Sequence, residues 1–135
     1  MTEPRLTLIH HPGYSFEWPA RHPFPMAKFR ALRARLGELG FDDDPAIEWL
    51  APQPASDRQL LRVHTPAYLQ TFHLGDTDPL ARKRSGFPWS PALVRRTLLE
   101  VGGTLATLEA ALRTGLACNT AVSYTHLTLP TIYSV

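Results

Sequence analysis

Residues 11–25, HPGYSFEWPARHPFP, place four prolines and one glycine in fifteen positions. Each proline fixes its own φ and removes a backbone donor, so the stretch cannot propagate a helix or sit inside a sheet. It also carries Tyr14, Phe16, Trp18 and Phe24. Four large rings are too much apolar surface for a solvated linker, so the segment reads as an ordered loop pressed onto the protein body. The rest of the fold must be built around it.

Before the loop, RLTLIH gives a short apolar run with Leu6, Leu8 and Ile9, a strand signal. After it, Met26, Phe29, Leu32, Leu36 and Leu39 recur at helical spacing up to Gly40, with arginines between them. That pattern predicts an amphipathic helix. FDDDP offers turn chemistry, and IEWLAP reads as a second strand. Ser56 or Asp57 can cap a short helix through Leu60, Leu61 and Val63. Thr65-Pro66 and Ser90-Pro91 each pair a capping side chain with proline at the first helical position.

The helix after Pro91 is the longest, with Leu93, Val94, Leu98, Val101, Leu105, Leu108 and Leu112 predicted on its apolar side and Gly115 beyond its end. Gly102-Gly103 inside it predict the close approach of another backbone. LACNTA begins a further strand or loop, and residues 74–89 read as loop. Strands separated by helices imply an α/β fold with a parallel sheet.

At 135 residues, 44% apolar and 19% charged, the chain suits one globular domain. A net charge of +2 does not imply nucleic acid, and the basic clusters around Arg33 and at Arg82-Lys83-Arg84 read as solvated faces. No run approaches the 18 or so apolar residues of a membrane span. The start of the chain lacks the pattern of a signal peptide, so the expected location is cytoplasmic. Cys118, the single cysteine, excludes an internal disulfide framework and reads as a buried or inert thiol.

Three segments carry a resemblance when taken in order: LIHHPGYSFEWPARHPFPMAKFRALRARL, VHTPAYLQTF and GFPWSPALVRRTLLEVGGTLATLEAAL. Together they resemble the N-terminal part of the zinc-dependent histone deacetylase family, nearest its bacterial class IV-like branch. The similarity runs over about residues 5–121. It implies an arginase-like fold, a many-stranded parallel sheet sandwiched by helices, of which residues 1–121 would be an incomplete N-terminal part. It further implies that the full-length protein hydrolyses N-acetyl amides, with acetylated amines as substrates. Such enzymes use zinc held by two aspartates and a histidine, a histidine pair for proton transfer, and a tyrosine that polarises the carbonyl. No position of this chain matches those residues, so no catalytic or metal-binding residue is assigned. The chain alone is expected to be inactive and to bind no zinc.

By the same resemblance His22 and Phe24 in RHPFP, and Phe87 and Trp89 in GFPW, would lie near the rim of the substrate channel. His10-His11 invite a metal reading, but no Asp or Cys stands nearby at ligand spacing, and a structural role fits better. His64 reads as structural and Tyr68 as core. Asp42, Asp43 and Asp44 lack the alternating spacing of a calcium loop and read as a turn, as do Asp76 and Asp78. A reading from a different class remains open: a small autonomous α/β binding module that holds a partner with the aromatic loop 12–24 and the basic helix 28–35.

All fourteen Lys and Arg and all twelve Asp and Glu fall before residue 122. Where the family has a GGTHHA-type segment, this chain has VSYTHLTLPT, with His126 standing alone. That string resembles the translation of a transposon-end adapter used in sequencing libraries, so residues 122–135 read as a non-native tail. The genomic locus is therefore expected to depart from this reading frame after codon 121. A locus that continues through codons 122–131 unchanged would refute that reading.

Overall fold

The computed structural model describes residues 6–76 and 78–121. The tail 122–135, with the adapter reading attached to it, lies outside the described residues. Strand β1 (Leu6–Ile9) is followed by a single 3-10 turn at Pro12–Tyr14, then helix α1 (Lys28–Glu38) and strand β2 (Ile47–Leu50). Helices α2 (Asp57–Leu60), α3 (Pro66–Leu74), α4 (Pro79–Ser85) and α5 (Pro91–Thr114) come next, and strand β3 (Ala117–Asn119) is the last element among the described residues. The fold is a mixed α/β arrangement on a small parallel sheet.

The sheet order is β2-β1-β3, and both pairings are parallel. Leu8 pairs with Trp49 on one side and Cys118 on the other. As the central strand, β1 has Thr7, Leu8 and Ile9 all buried, whereas the edge strand β2 is only partly covered. Near-continuous burial of the middle strand is what a parallel sheet flanked by helices produces.

The helix boundaries follow from capping chemistry. The Ser56 side chain accepts from Gln59 N, and Gln59 in turn accepts from Ser56 N, a reciprocal capping box. Thr65 and Ser90 cap α3 and α5 with proline directly behind them. The segment 74–89, predicted as loop, instead contains α4. Asp78 accepts from Leu80 N, Pro79 follows, and Gly86 ends the helix at φ +70°. It was hidden because a helix bearing three consecutive cations and no buried residue has no apolar stripe to display.

Helix α5 packs on β1 and β3, and its buried residues are Leu93, Val94, Arg96, Leu99, Gly102, Gly103 and Ala110. Both glycines are needed. A Cβ on Gly102 would collide with the Gln53 carbonyl, and one on Gly103 would collide with the Tyr14 hydroxyl. The approach at Gly102 is sealed by a hydrogen bond from Ala55 N to Leu98 O, 2.9 Å.

The predicted stripes are covered only in part. Leu32 on α1 and Leu39 just past its end are exposed, and on α5 Leu108 and Leu112 are 56% and 80% exposed. The three described strands are too narrow a layer to cover the full length of a 24-residue helix. Cys118 is a further correction: it is exposed on β3 rather than buried.

Gly102→Ala should destabilise the fold by about 1–3 kcal/mol through overpacking, read as a lower urea midpoint. Thr104→Ala, at an exposed position of the same helix, should be neutral or slightly stabilising. Equal midpoints for the two variants would contradict the tight approach.

Candidate functional site

The loop 11–25 folds inward, as its aromatic content predicts. Tyr14 is fully buried among Met26, Phe29, Leu99 and Ala121, with Phe16, Trp18 and Phe24 packed around that cluster. Ser15 Oγ donates to Met26 O and accepts from Arg30 N, which pins the loop to the start of α1.

Beside the loop lies a cleft of about 450 Å³. Phe24 comes from the loop, Tyr68 and Phe72 from α3, Phe87 and Trp89 from the chain between α4 and α5, and Arg96 and Glu100 from α5. Three of the four sequence candidates, Phe24, Phe87 and Trp89, therefore line one cavity although 65 positions separate the first from the last. The ring centroids of Phe24 and Phe87 are 5.1 Å apart in an edge-to-face arrangement. Trp89 Nε1 donates to Phe72 O at 2.7 Å, and its ring lies where a Cβ on Gly75 would be. Gly75 also has φ +73°, so both space and backbone conformation require glycine there.

His22 does not line the cleft but fastens its edge. Its Nε2 donates to Gly86 O at 2.6 Å, and its Nδ1 accepts from Phe24 N at 3.1 Å. Its ring packs against Trp18 and Phe87. Tyr68, assigned to the core from sequence, is instead 52% exposed, stacked between His64 and Phe72 with its side chain at the cleft. Its spacing of four from Phe72 was a readable sign of a shared face.

Arg96 is the cleft residue that the sequence did not single out. It is only 4% exposed. Its Nε donates to Tyr14 O at 2.9 Å and its Nη1 to Glu100 Oε2 at 2.7 Å. The guanidinium carbon lies 4.9 Å from the Phe29 ring centroid and 5.5 Å from that of Phe24. An arginine three residues from both Leu93 and Leu99 on a buried stripe was the available signal. Glu100 is engaged by Arg96, whose Nη2 is buried without a hydrogen-bond partner among the described residues, so the aromatic wall carries one buried donor.

A second group gathers at the carboxyl ends of the strands, where β1 has its neighbours on opposite sides. In open α/β sheets that switch point is where ligands bind. His10 Nδ1 and Thr120 Oγ1 lie 2.7 Å apart, and the His10 ring meets Tyr14 and Trp49 edge-on. Burial, reinforced by Arg33 and His11, holds His10 down at about 4. The Tyr14 phenol is pushed up to about 12, first by burial and then by Glu100, against opposing effects of Asn119 and Arg96. His11 caps the 3-10 turn by accepting from Gly13 N. No group of three or more His, Cys, Asp or Glu able to hold a metal occurs among the described residues.

No protein-family model matches the chain. It is 42% identical, over 114 residues, to an uncharacterized protein of Picosynechococcus sp., and the match covers 84% of this chain and 37% of the relative. The chain thus spans little more than a third of that relative's length. Among the described residues no helix is long and apolar enough to cross a membrane.

The depressed His10 value fixes a pH dependence. The neutral ring is favoured in the fold, so its contribution is full above the usual 6.5 and is lost as pH falls toward about 4. His10→Asn should therefore flatten the acid-side fall of the urea midpoint in that window. Imidazole NMR shifts should give a His10 midpoint well below the ordinary value, and a midpoint near 6.5 would contradict the burial argument.

Proposed function

We propose that this chain is the N-terminal part of a zinc-dependent deacetylase with an arginase-like fold, and that the aromatic cleft forms part of the channel through which an acetylated amine approaches the reaction centre. One observation carries the reading. The residues that the family resemblance assigns to the channel rim come from distant segments, and Phe24, Phe87 and Trp89 line a single cavity fastened by His22. The all-parallel order β2-β1-β3 supports it as well, being compatible with one flank of a wider parallel sheet.

The role of this chain would be binding and orientation. Phe24, Phe72, Phe87 and Trp89 offer apolar walls for the four methylenes of an acetyl-lysine stem, worth about 3 kcal/mol at ~0.8 kcal/mol per buried methylene. Excluding water from the stem also strengthens polar contacts made to the acetyl group. Zinc, when bound in such an enzyme, activates water and stabilises the developing oxyanion. The described residues do not fit a zinc site, so none is assigned to it. The ligands and the proton-transfer groups are proposed to belong to a longer protein, for which the greater length of the Picosynechococcus relative leaves room.

The binding-module reading has less support. On α1, Arg33 pairs with Asp42 at 2.7 Å and stacks on Trp49, and Arg35 pairs with Glu38. Two of the helix's cations already have partners within the chain.

The test is the full-length product of the native gene. With zinc it should hydrolyse an acetyl-lysine reporter, lose that activity to a chelator and regain it on zinc addition. Phe87→Ala and Trp89→Ala should raise KM about tenfold or more, with a smaller change in kcat, as expected when uniform binding is lost. The 135-residue chain should give no turnover. A full-length product without activity, or variants with unchanged KM, would refute the proposal.

A further inference from the structure

We infer that Arg96 reads the amide of the acetylated amine: the carbonyl oxygen accepts a hydrogen bond from Nη2, which makes the cleft selective for the acylated over the free amine. The inference rests on the channel reading above and adds the residue that sets its specificity.

Other side chains of the lining donate to the chain's own carbonyls. Trp89 Nε1 donates to Phe72 O, Ser85 Oγ to Arg82 O and Thr97 Oγ1 to Leu93 O, while Arg82 reaches Gly75 O. Arg96 differs. It is 4% exposed, its Nε and Nη1 are taken by Tyr14 O and Glu100 Oε2, and its Nη2 is buried with no hydrogen-bond partner among the described residues. A buried donor left without an acceptor costs free energy, more so on a charged group, and an acceptor brought by a ligand recovers it.

Charge decides which acceptor fits. Arg96 and Glu100 form a pair at 2.7 Å that is neutral as a whole. A carboxylate would have to share the guanidinium with Glu100 and repel it, and an ammonium would set a second cationic donor against Nη2. An amide carbonyl avoids both costs, so loss of the acyl group turns a ligand that satisfies Nη2 into one that does not. Access is past Phe24. The guanidinium carbon lies 5.5 Å from the Phe24 centroid and 4.9 Å from that of Phe29. Phe29 is fully buried, whereas Phe24 is only partly buried and lines the cleft, so Phe24 is the ring that turns aside as the carbonyl enters. The contact serves binding, and cleavage of the amide stays with the groups proposed for the longer protein.

The experiment is fluorescence anisotropy of labelled peptides with the full-length product of the native gene, in the zinc-free state from which zinc addition restores activity. Without the metal there is no turnover, and zinc cannot hold the carbonyl. Three peptides differ at one position, which carries acetyl-lysine, lysine, or an uncharged residue whose unbranched alkyl chain matches acetyl-lysine in length. The acetylated peptide should bind about tenfold tighter than the alkyl one, as a hydrogen bond to a charged group supplies, and the lysine peptide most weakly. The double variant Arg96→Met, Glu100→Gln removes both charges and strands neither. It should keep the alkyl affinity and lose the acetyl advantage. An acetyl advantage that survives in this variant, or that is missing from the wild-type protein, overturns the inference while the channel reading stands. If the variant binds no peptide, the wild-type complex decides. Its crystal structure should place the acetyl oxygen about 2.7–3.2 Å from Arg96 Nη2, and an oxygen placed elsewhere overturns the inference. If the wild-type protein binds neither the acetylated nor the alkyl peptide, or Phe87→Ala and Trp89→Ala leave both affinities unchanged, the channel reading fails and this inference fails with it.

Discussion

The guanidinium of Arg96 is the point on which the arrangement turns. Removing a charged side chain from water costs several kcal/mol, and the surroundings must return it through well-formed contacts. Here the return comes from Glu100, from the carbonyl of Tyr14 and from the faces of Phe24 and Phe29. These partners belong to α5, to the proline-rich loop and to α1. One side chain therefore locks three otherwise separate segments. The Arg96–Glu100 pair lies within α5, so lifting the loop forfeits the hydrogen bond from Arg96 to Tyr14 O, about 1.5–3 kcal/mol for a bond made by a charged group, together with the contact to Phe24.

That lock explains how a loop with four prolines comes to be rigid enough to form a cavity wall. Its backbone bonds to itself in isolated turns, at Pro12–Tyr14 and from His22 N to Pro19 O. Side chains supply the restraint instead: Ser15 to Met26, His22 to Gly86 and Arg96 to Tyr14. The same economy appears at Gly75 and Trp89, where absence of a side chain on one residue makes room for the ring of the other. The cleft is thus a product of helix-to-loop packing, and its shape depends little on the sheet.

Much of this was legible in the sequence because it rests on local chemistry. Thr65-Pro66 and Ser90-Pro91 announce helix starts wherever they occur, and Gly102-Gly103 in a long apolar helix announced the contact found with the 53–55 backbone and the Tyr14 hydroxyl. The strands at residues 6–9 and 47–50 showed in their apolar runs, whereas 117–119 could be read as strand or loop. What stayed hidden depends on tertiary context. Nothing local says that Tyr68 faces outward, that Cys118 is exposed, or that Leu108 and Leu112 find no cover. Periodicity shows which residues share a helix face, but how much of that face is buried depends on the width of the layer it meets. The rim candidates were named from family likeness alone, and only the three-dimensional arrangement brings Phe24, Phe87 and Trp89 together.

The position of β1 in the sheet has a consequence for synthesis. Of the described strands it is made first, yet its partner β3 follows it by about 110 residues, with Thr7 opposite Ala117. A strand in the middle of a ladder must therefore wait, half-paired, until nearly all the described chain has left the ribosome. Long-range pairing of this kind makes assembly slow and leaves apolar edges open in the nascent chain. Helices α1, α3 and α5 can form as they emerge, but the sheet that organises them can be completed only from the far end.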